Sequence, residues 1–204
     1  MQTVEQGHFT LEIDNKKYNL TPSFKNMARL ANADRLIIFF DLIHGNIADL
    51  ATKINVAREI LIACSDDESI DKYLIKCKKN KPHVKPSSIS INDQIIVAAA
   101  LMRHGIAGVN APKYENSGKK GKPLTKFDVY QYVADAKNHF GLTLDEAWNL
   151  TMTEFRYHLA SKFPPIKDKD SAPDIKEHEQ SMKDPKVQEM YKKAIEHMRR
   201  KNGK

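Results

Sequence analysis

His8-Phe9-Thr10-Leu11-Glu12-Ile13-Asp14-Asn15-Lys16-Lys17-Tyr18-Asn19-Leu20-Thr21-Pro22-Ser23-Phe24 decides the fold at its first element. Phe9, Leu11 and Ile13 alternate with polar residues, Asp14-Asn15 forms a two-residue turn, and Tyr18 and Leu20 resume the alternation, so the stretch reads as a β-hairpin. Two strands alone are only marginally stable and must lie on something else. A helix follows at once, with Thr21 as its cap, Pro22 in its first turn, and Phe24, Met27, Ala28 and Leu30 at helical spacing. The fold class expected is mainly α with a short N-terminal β-hairpin.

Working outward, a second helix is expected from about Asn32 through Leu36–Leu42 to Gly45, where a glycine suits the left-handed cap. A third spans about Ile47 to Ala63, with Leu50, Ile54, Ala57, Leu61 and Ile62 on one face. A shorter helical piece, Ile70–Lys78, runs into the lysine and proline stretch around Pro82 and Pro86. Ile91–His104, rich in Ile, Val and Ala, reads as a core helix closed by Gly105.

Between Gly108 and Pro123 the composition changes to Asn, Gly, Ser, Lys and Pro, as in a connector. Thr125 then caps a helix from Lys126 to Phe140, ended by Gly141. Thr143-Leu144-Asp145-Glu146 and Thr151-Met152-Thr153-Glu154 are two capping boxes that start two more helices. The chain therefore divides into a hairpin and helical domain (1–110), a linker (111–123), a three-helix minidomain (124–163), a flexible segment (164–183) and a C-terminal amphipathic helix (184–204).

Composition narrows the function classes. Hydrophobic residues make up 41% of the 204, enough for a packed core, and charged residues 29%. No run approaches the roughly 20 apolar residues of a membrane span, and Met1–Gly7 lacks the pattern of a signal peptide, so no membrane is expected and the cytoplasm is the expected place. Cys64 and Cys77 read as structural thiols, and with His83 they do not form a zinc spacing, so no metal site is expected. No phosphate-binding glycine loop, nucleophile elbow or dinucleotide fingerprint occurs, so no catalytic residue and no cofactor are assigned. The net charge of +7 gathers in Lys76–Lys85, Lys113–Lys126 and the residues after Lys192. These stretches read as solvated connectors and a tail, which favour encounter with anions over specific nucleic-acid recognition.

Two groups of residues are candidates for binding a partner protein. Trp148 reads first as the core anchor of the three-helix module and second as a binding hot spot, with Phe155 facing it from the next helix. Val187, Met190, Tyr191 and Met198 form a stripe on the last helix. That stripe needs a partner, whether its own chain, a second copy or another protein, and methionine-rich faces suit adaptable binding.

The run from His8 to Phe24, strand, turn and strand leading into a helix through Leu-Thr-Pro-Ser-Phe, resembles the start of the tail assembly chaperones of tailed bacteriophages. Gly141-Leu-Thr-Leu-Asp-Glu-Ala-Trp-Asn-Leu-Thr-Met-Thr-Glu-Phe155 resembles the small downstream module of the same family. The resemblance covers roughly residues 8–163. It implies a non-enzymatic protein of the infected cell's cytoplasm that coats the tape measure protein, recruits tail tube subunits and leaves before the virion is complete. It further implies that the N-terminal module meets the tape measure and the downstream module the tube protein. Two other readings stand beside it: a helix-turn-helix DNA-binding regulator built on Val129–Leu159, and a structural tail or head completion protein.

Overall fold

A computed structural model describes residues 7–78, 81–84, 89–109 and 125–163, together with residues 185, 188, 189, 192, 193 and 196. It is mainly α with an N-terminal antiparallel hairpin. Strands β1 (Phe9–Ile13) and β2 (Lys16–Leu20) pair from Phe9↔Leu20 to Ile13↔Lys16. Asp14 and Asn15 both take positive φ, 51° and 59°, as a type I′ turn requires. Tyr18 and Leu20 are fully buried, and the Tyr18 ring meets Tyr73 edge-on at 6.0 Å.

Helix α1 (Phe24–Leu30) starts later than the Thr21-Pro22 reading, because Ser23 is its cap and accepts from the Asn26 amide. Thr21 is held elsewhere: its amide donates to the Cys64 carbonyl at 2.9 Å, and its own carbonyl accepts from Asn26 Nδ2 at 2.8 Å. Helix α2 (Ala33–His44) begins next to Asn32, as expected, and Asn32 is its cap. Gly45 follows with φ −78° and ψ 171°, an extended conformation and not the expected left-handed cap. Its glycine is explained by contact, since a Cβ there would lie 2.7 Å from the Asp41 carbonyl oxygen.

Helix α3 (Leu50–Cys64) is the central strut, capped by Asp49 and packed by α1, α2 and α4 (Ile91–Met102). Its buried face is Ile54, Ala57, Ile60, Leu61 and Cys64, whereas Leu50, expected on that face, is 58% exposed. Arg29 Nη2 donates to the carbonyls of Ile62 and Ala63, which satisfies the acceptors left over at the end of α3.

The segment read as a helical piece is a 3-10 turn, Glu68–Tyr73, followed by a second hairpin, β3 (Lys76–Lys78) with β4 (Lys81–His83). Side chains from distant helices impose the extended form by doing what a neighbouring strand would do. Asn55 Oδ1 accepts from the Cys77 amide (2.9 Å) while Asn55 Nδ2 donates to the Cys77 carbonyl (3.2 Å). Fully buried Gln94 accepts from the Ile75 amide (2.7 Å) and donates to the carbonyls of Ile75 (2.9 Å) and Ile54 (3.0 Å). The amides and carbonyls of Ile75 and Cys77 thus all find partners.

Helix α4 does not stop at Gly105 but widens into a π-helical turn, Arg103–Ala107, that ends at Gly108. Gly108 has φ 72°, and a Cβ on it would sit 2.5 Å from Cδ of Arg156, so both backbone and packing require glycine.

Helix α5 (Val129–Phe140) is capped by Asp128, not Thr125, because the Phe127 amide is already engaged by the Ala33 carbonyl at 2.9 Å. Gly141 closes α5 in the left-handed conformation, and both capping boxes form at the starts of α6 (Leu144–Asn149) and α7 (Met152–Lys162). These three helices do not centre on Trp148, which is only partly buried. They close over Phe24, whose ring lies 6.5 Å from Phe127, 5.7 Å from Tyr132 and 5.9 Å from Phe155. The Phe24 amide donates to the Leu150 carbonyl at 2.8 Å, and Ser23 bridges Thr151. The sequence boundary at 111–123 is thus crossed by one continuous core of buried residues running from Phe9 to Phe155.

The linker and the flexible segment lie outside the described residues, as do Val187, Met190, Tyr191 and Met198. Residues 185, 188, 189, 192, 193 and 196 are helical and exposed, with Lys193 paired to Glu189 at 2.9 Å.

Candidate partner-binding surfaces

The two stretches that carry the resemblance, residues 8–24 and 141–155, meet in the structure. Beside the Phe24 contacts, His8 joins them through side chains: Nε2 pairs with Glu154 Oε1 at 3.0 Å and Nδ1 lies 3.2 Å from Thr21 Oγ1. The second carboxylate oxygen of Glu154 accepts from the Thr151 amide at 2.7 Å, so one glutamate both caps α7 and holds the hairpin. Behind it α7 is also tied to the end of the π-helical turn, where His104 Nδ1 and the Val109 amide each stand 3.0 Å from buried Thr153 Oγ1.

These contacts polarise the titrating groups. The hydrogen bond to Glu154 raises the His8 pKa above its ordinary value, against the effect of burial. Burial pushes the Glu154 carboxyl up, but the His8 hydrogen bond and the Thr151 amide together hold it below the usual glutamate range. Desolvation, aided by Arg103 and His8, lowers His104.

A raised histidine contributes stability that is fully present below its unfolded pKa near 6.5 and is lost as pH rises through the higher folded value. The lowered Glu154 contributes above its unfolded value near 4.5. The joint's contribution is therefore full from about pH 4.5 to about 6.5 and is lost as the pH rises through the raised His8 value. His8→Ala should lower the thermal midpoint more at pH 5.5 than at pH 8.5; an equal loss at both values would show that the charged pair adds nothing.

Phe155 is 6% exposed and ringed by Phe24, Tyr132 and Phe140, so the structure uses it as core and leaves it no surface for a partner. Packing of α7 onto α1 and α5 buries it, an arrangement that sequence spacing does not reveal. Trp148 does lie at a surface. Its ring meets the ring of Tyr130 edge-on at 5.4 Å, Tyr130 is 69% exposed, and Leu144, one turn before Trp148, is 54% exposed. Tyr130, Leu144 and Trp148 make an apolar face on the downstream helices.

A second surface, a groove of mixed polar and apolar lining, was not singled out in the sequence. A groove of about 640 Å³ runs between the β1–β2 hairpin and α4, with Leu11, Ile13, Ile89, Ile96 and Val97 inside and Glu12, Lys17 and Asp93 among its polar residues. Four successive β1 residues, Thr10 to Ile13, line it, so it follows the outer edge of the strand as well as its face. The available signal was Ile96, 56% exposed within a run that otherwise reads as core.

Among the described residues, no three His, Cys, Asp or Glu side chains are placed to hold a metal ion. Cys64 and Cys77 are both buried free thiols, and burial pushes Cys64 up to about 12. Helix α6, which a helix-turn-helix reading would lay in a DNA groove, has six residues with Asp145 and Glu146 in its first turn. No described helix is long and apolar enough to cross a membrane.

No curated protein and no solved structure matches the chain. Residues 46–182, from just before α3 through α7, match the family of unknown function DUF6246, and the chain belongs to that family.

Proposed function

We propose that this chain is a tail assembly chaperone of tailed bacteriophages, acting in the cytoplasm of the infected cell. It binds the tape measure protein, brings tail tube subunits to it, and is absent from the finished virion. The observation that carries this reading is that the two resembling segments share one core while each borders a surface with exposed apolar side chains, a groove of mixed polarity along β1 and the face with Leu144 and Trp148. The hairpin and α4 groove suits an amphipathic helix of a long client, and the Tyr130, Leu144 and Trp148 face suits a second protein held at a fixed distance from the first. Release then comes from replacement by tube subunits, as mass action allows.

Co-expression with the tape measure protein should keep that client soluble and give a complex that survives moderate salt, because apolar contacts are screened little. Single substitutions separate the two surfaces. Ile96→Glu should weaken tape measure binding by about 2 kcal/mol or more, roughly 30-fold in Kd, with tube binding retained. Leu144→Glu should do the reverse. Both side chains are more than half exposed, so thermal midpoints should move little. A client that stays insoluble beside the wild-type chain, with neither protein retained, would overturn the proposal.

A further inference from the structure

We propose that the β3–β4 hairpin is a contact for the phosphate backbone of nucleic acid, binding without regard to sequence. The register pairs Lys76 with His83 and Lys78 with Lys81, and the period of two places all four on the ribbon face opposite Cys77 and Pro82. β4 is wholly exposed, as is Lys78, while Cys77 is buried against the body of the protein.

Lys78 directly opposite Lys81 is a like-charge cross-strand pair, which costs stability in a sheet. Among the described residues no acidic side chain forms an ion pair with Lys76, Lys78 or Lys81 to offset it. The nearby acid Asp49 acts on the Cys77 thiol, on the inner side of the ribbon. Lys79 and Lys85 belong to the same stretch of sequence, and from Lys76 to Asn92 there are five lysines and no acid, against a net charge of +7 for the whole chain.

This charge is mounted, not merely solvated. Asn55 fixes Cys77 by two hydrogen bonds, and Gln94 fixes Ile75 by two more, so β3 with Lys76 and Lys78 is tied to α3 and α4, and β4 with Lys81 pairs to β3. Strand geometry sets Lys76 and Lys78 about 7 Å apart, with their cross-strand partners about 5 Å away. A duplex carries one charge per about 1.7 Å of axis, so the ribbon spans several phosphates.

An acidic protein is the poorer occupant. Protein interfaces are depleted in lysine and built on aromatic, methionine and arginine anchors, none of which stands on this face. His83 is the one ring on this face, and Arg, Asn and Gln are absent from it, so stacking and base-edge pairing are minor there and phosphate contacts dominate. This surface is separate from the apolar ones and does not depend on their function.

The test is the binding of the full chain to a labelled DNA duplex of arbitrary sequence, titrated across salt concentrations. Replacing Lys76, Lys78 and Lys81 by Gln should reduce affinity at low salt by tenfold or more. It should also flatten the dependence of log K on log salt by about 0.9 per lysine. The variant should melt no lower than wild type, since repulsion is relieved. Replacement of the same three by Arg should preserve binding, and a scrambled duplex should bind equally. Unchanged affinity and slope in the Gln variant would overturn the proposal. So would retention of an acidic protein through these lysines with duplex binding unaffected.

Discussion

Phe24→Ala should destabilise the whole chain by about 3–5 kcal/mol, the usual cost of deleting a fully buried phenylalanine. For a protein of this size that is a fall of roughly 6–20 °C in Tm, since each kcal/mol shifts the midpoint by about 2–4 °C. The ring is fully buried and touches residues on both sides of the 111–123 boundary. Removing it opens a cavity between α1 and the α5–α7 helices. Trp148 fluorescence, which reports on α6, should therefore fall in step with far-UV circular dichroism, which follows the whole chain. If the tryptophan signal kept its own midpoint while the remaining helical signal lost several degrees, residues 124–163 would fold apart from the rest.

Gln94→Leu should cost about 2–5 kcal/mol, although leucine is apolar and close in size. The amide and carbonyl of Ile75 would both lose their partner inside the core, and each unpaired buried group costs about 1–3 kcal/mol. The loss should centre on the second hairpin, because Ile75 is where the chain enters β3. Amide exchange at Cys77 and Lys78 should accelerate well before global unfolding. A variant as stable as wild type, with those amides still protected, would mean that Asn55 alone holds the hairpin.

What the sequence made legible was local. The Asp14-Asn15 turn, the Gly141 stop and both capping boxes are written within four residues of where they act, and all of them form. The second hairpin was not legible, because nothing in Lys76–His83 alternates in hydropathy. Its strands exist through Asn55 and Gln94, 22 and 19 residues away from the groups they bind. Helix starts at Thr21 and Thr125 were misplaced for a related reason: in each case a distant carbonyl, Cys64 or Ala33, holds an amide nearby and keeps the chain extended.

The same distinction applies to the binding residues. Trp148 looked like the anchor because it is the largest apolar side chain in its segment, yet the centre of that packing is Phe24, over a hundred residues earlier. Phe155 was read as a partner contact and is core. The groove along β1 arises from where α4 passes, which spacing within either element does not encode. The His8 to Glu154 joint is likewise a tertiary product, although its glutamate was marked by the second capping box.

The most direct measurement is hydrogen exchange on the full chain with and without the co-expressed tape measure and tube proteins. Slowed exchange is expected along Thr10–Ile13 and at the start of α4 when the tape measure is bound, and at Tyr130 and Leu144–Trp148 when the tube protein is bound. Protection confined to the lysine hairpin, or none in either complex, would contradict it.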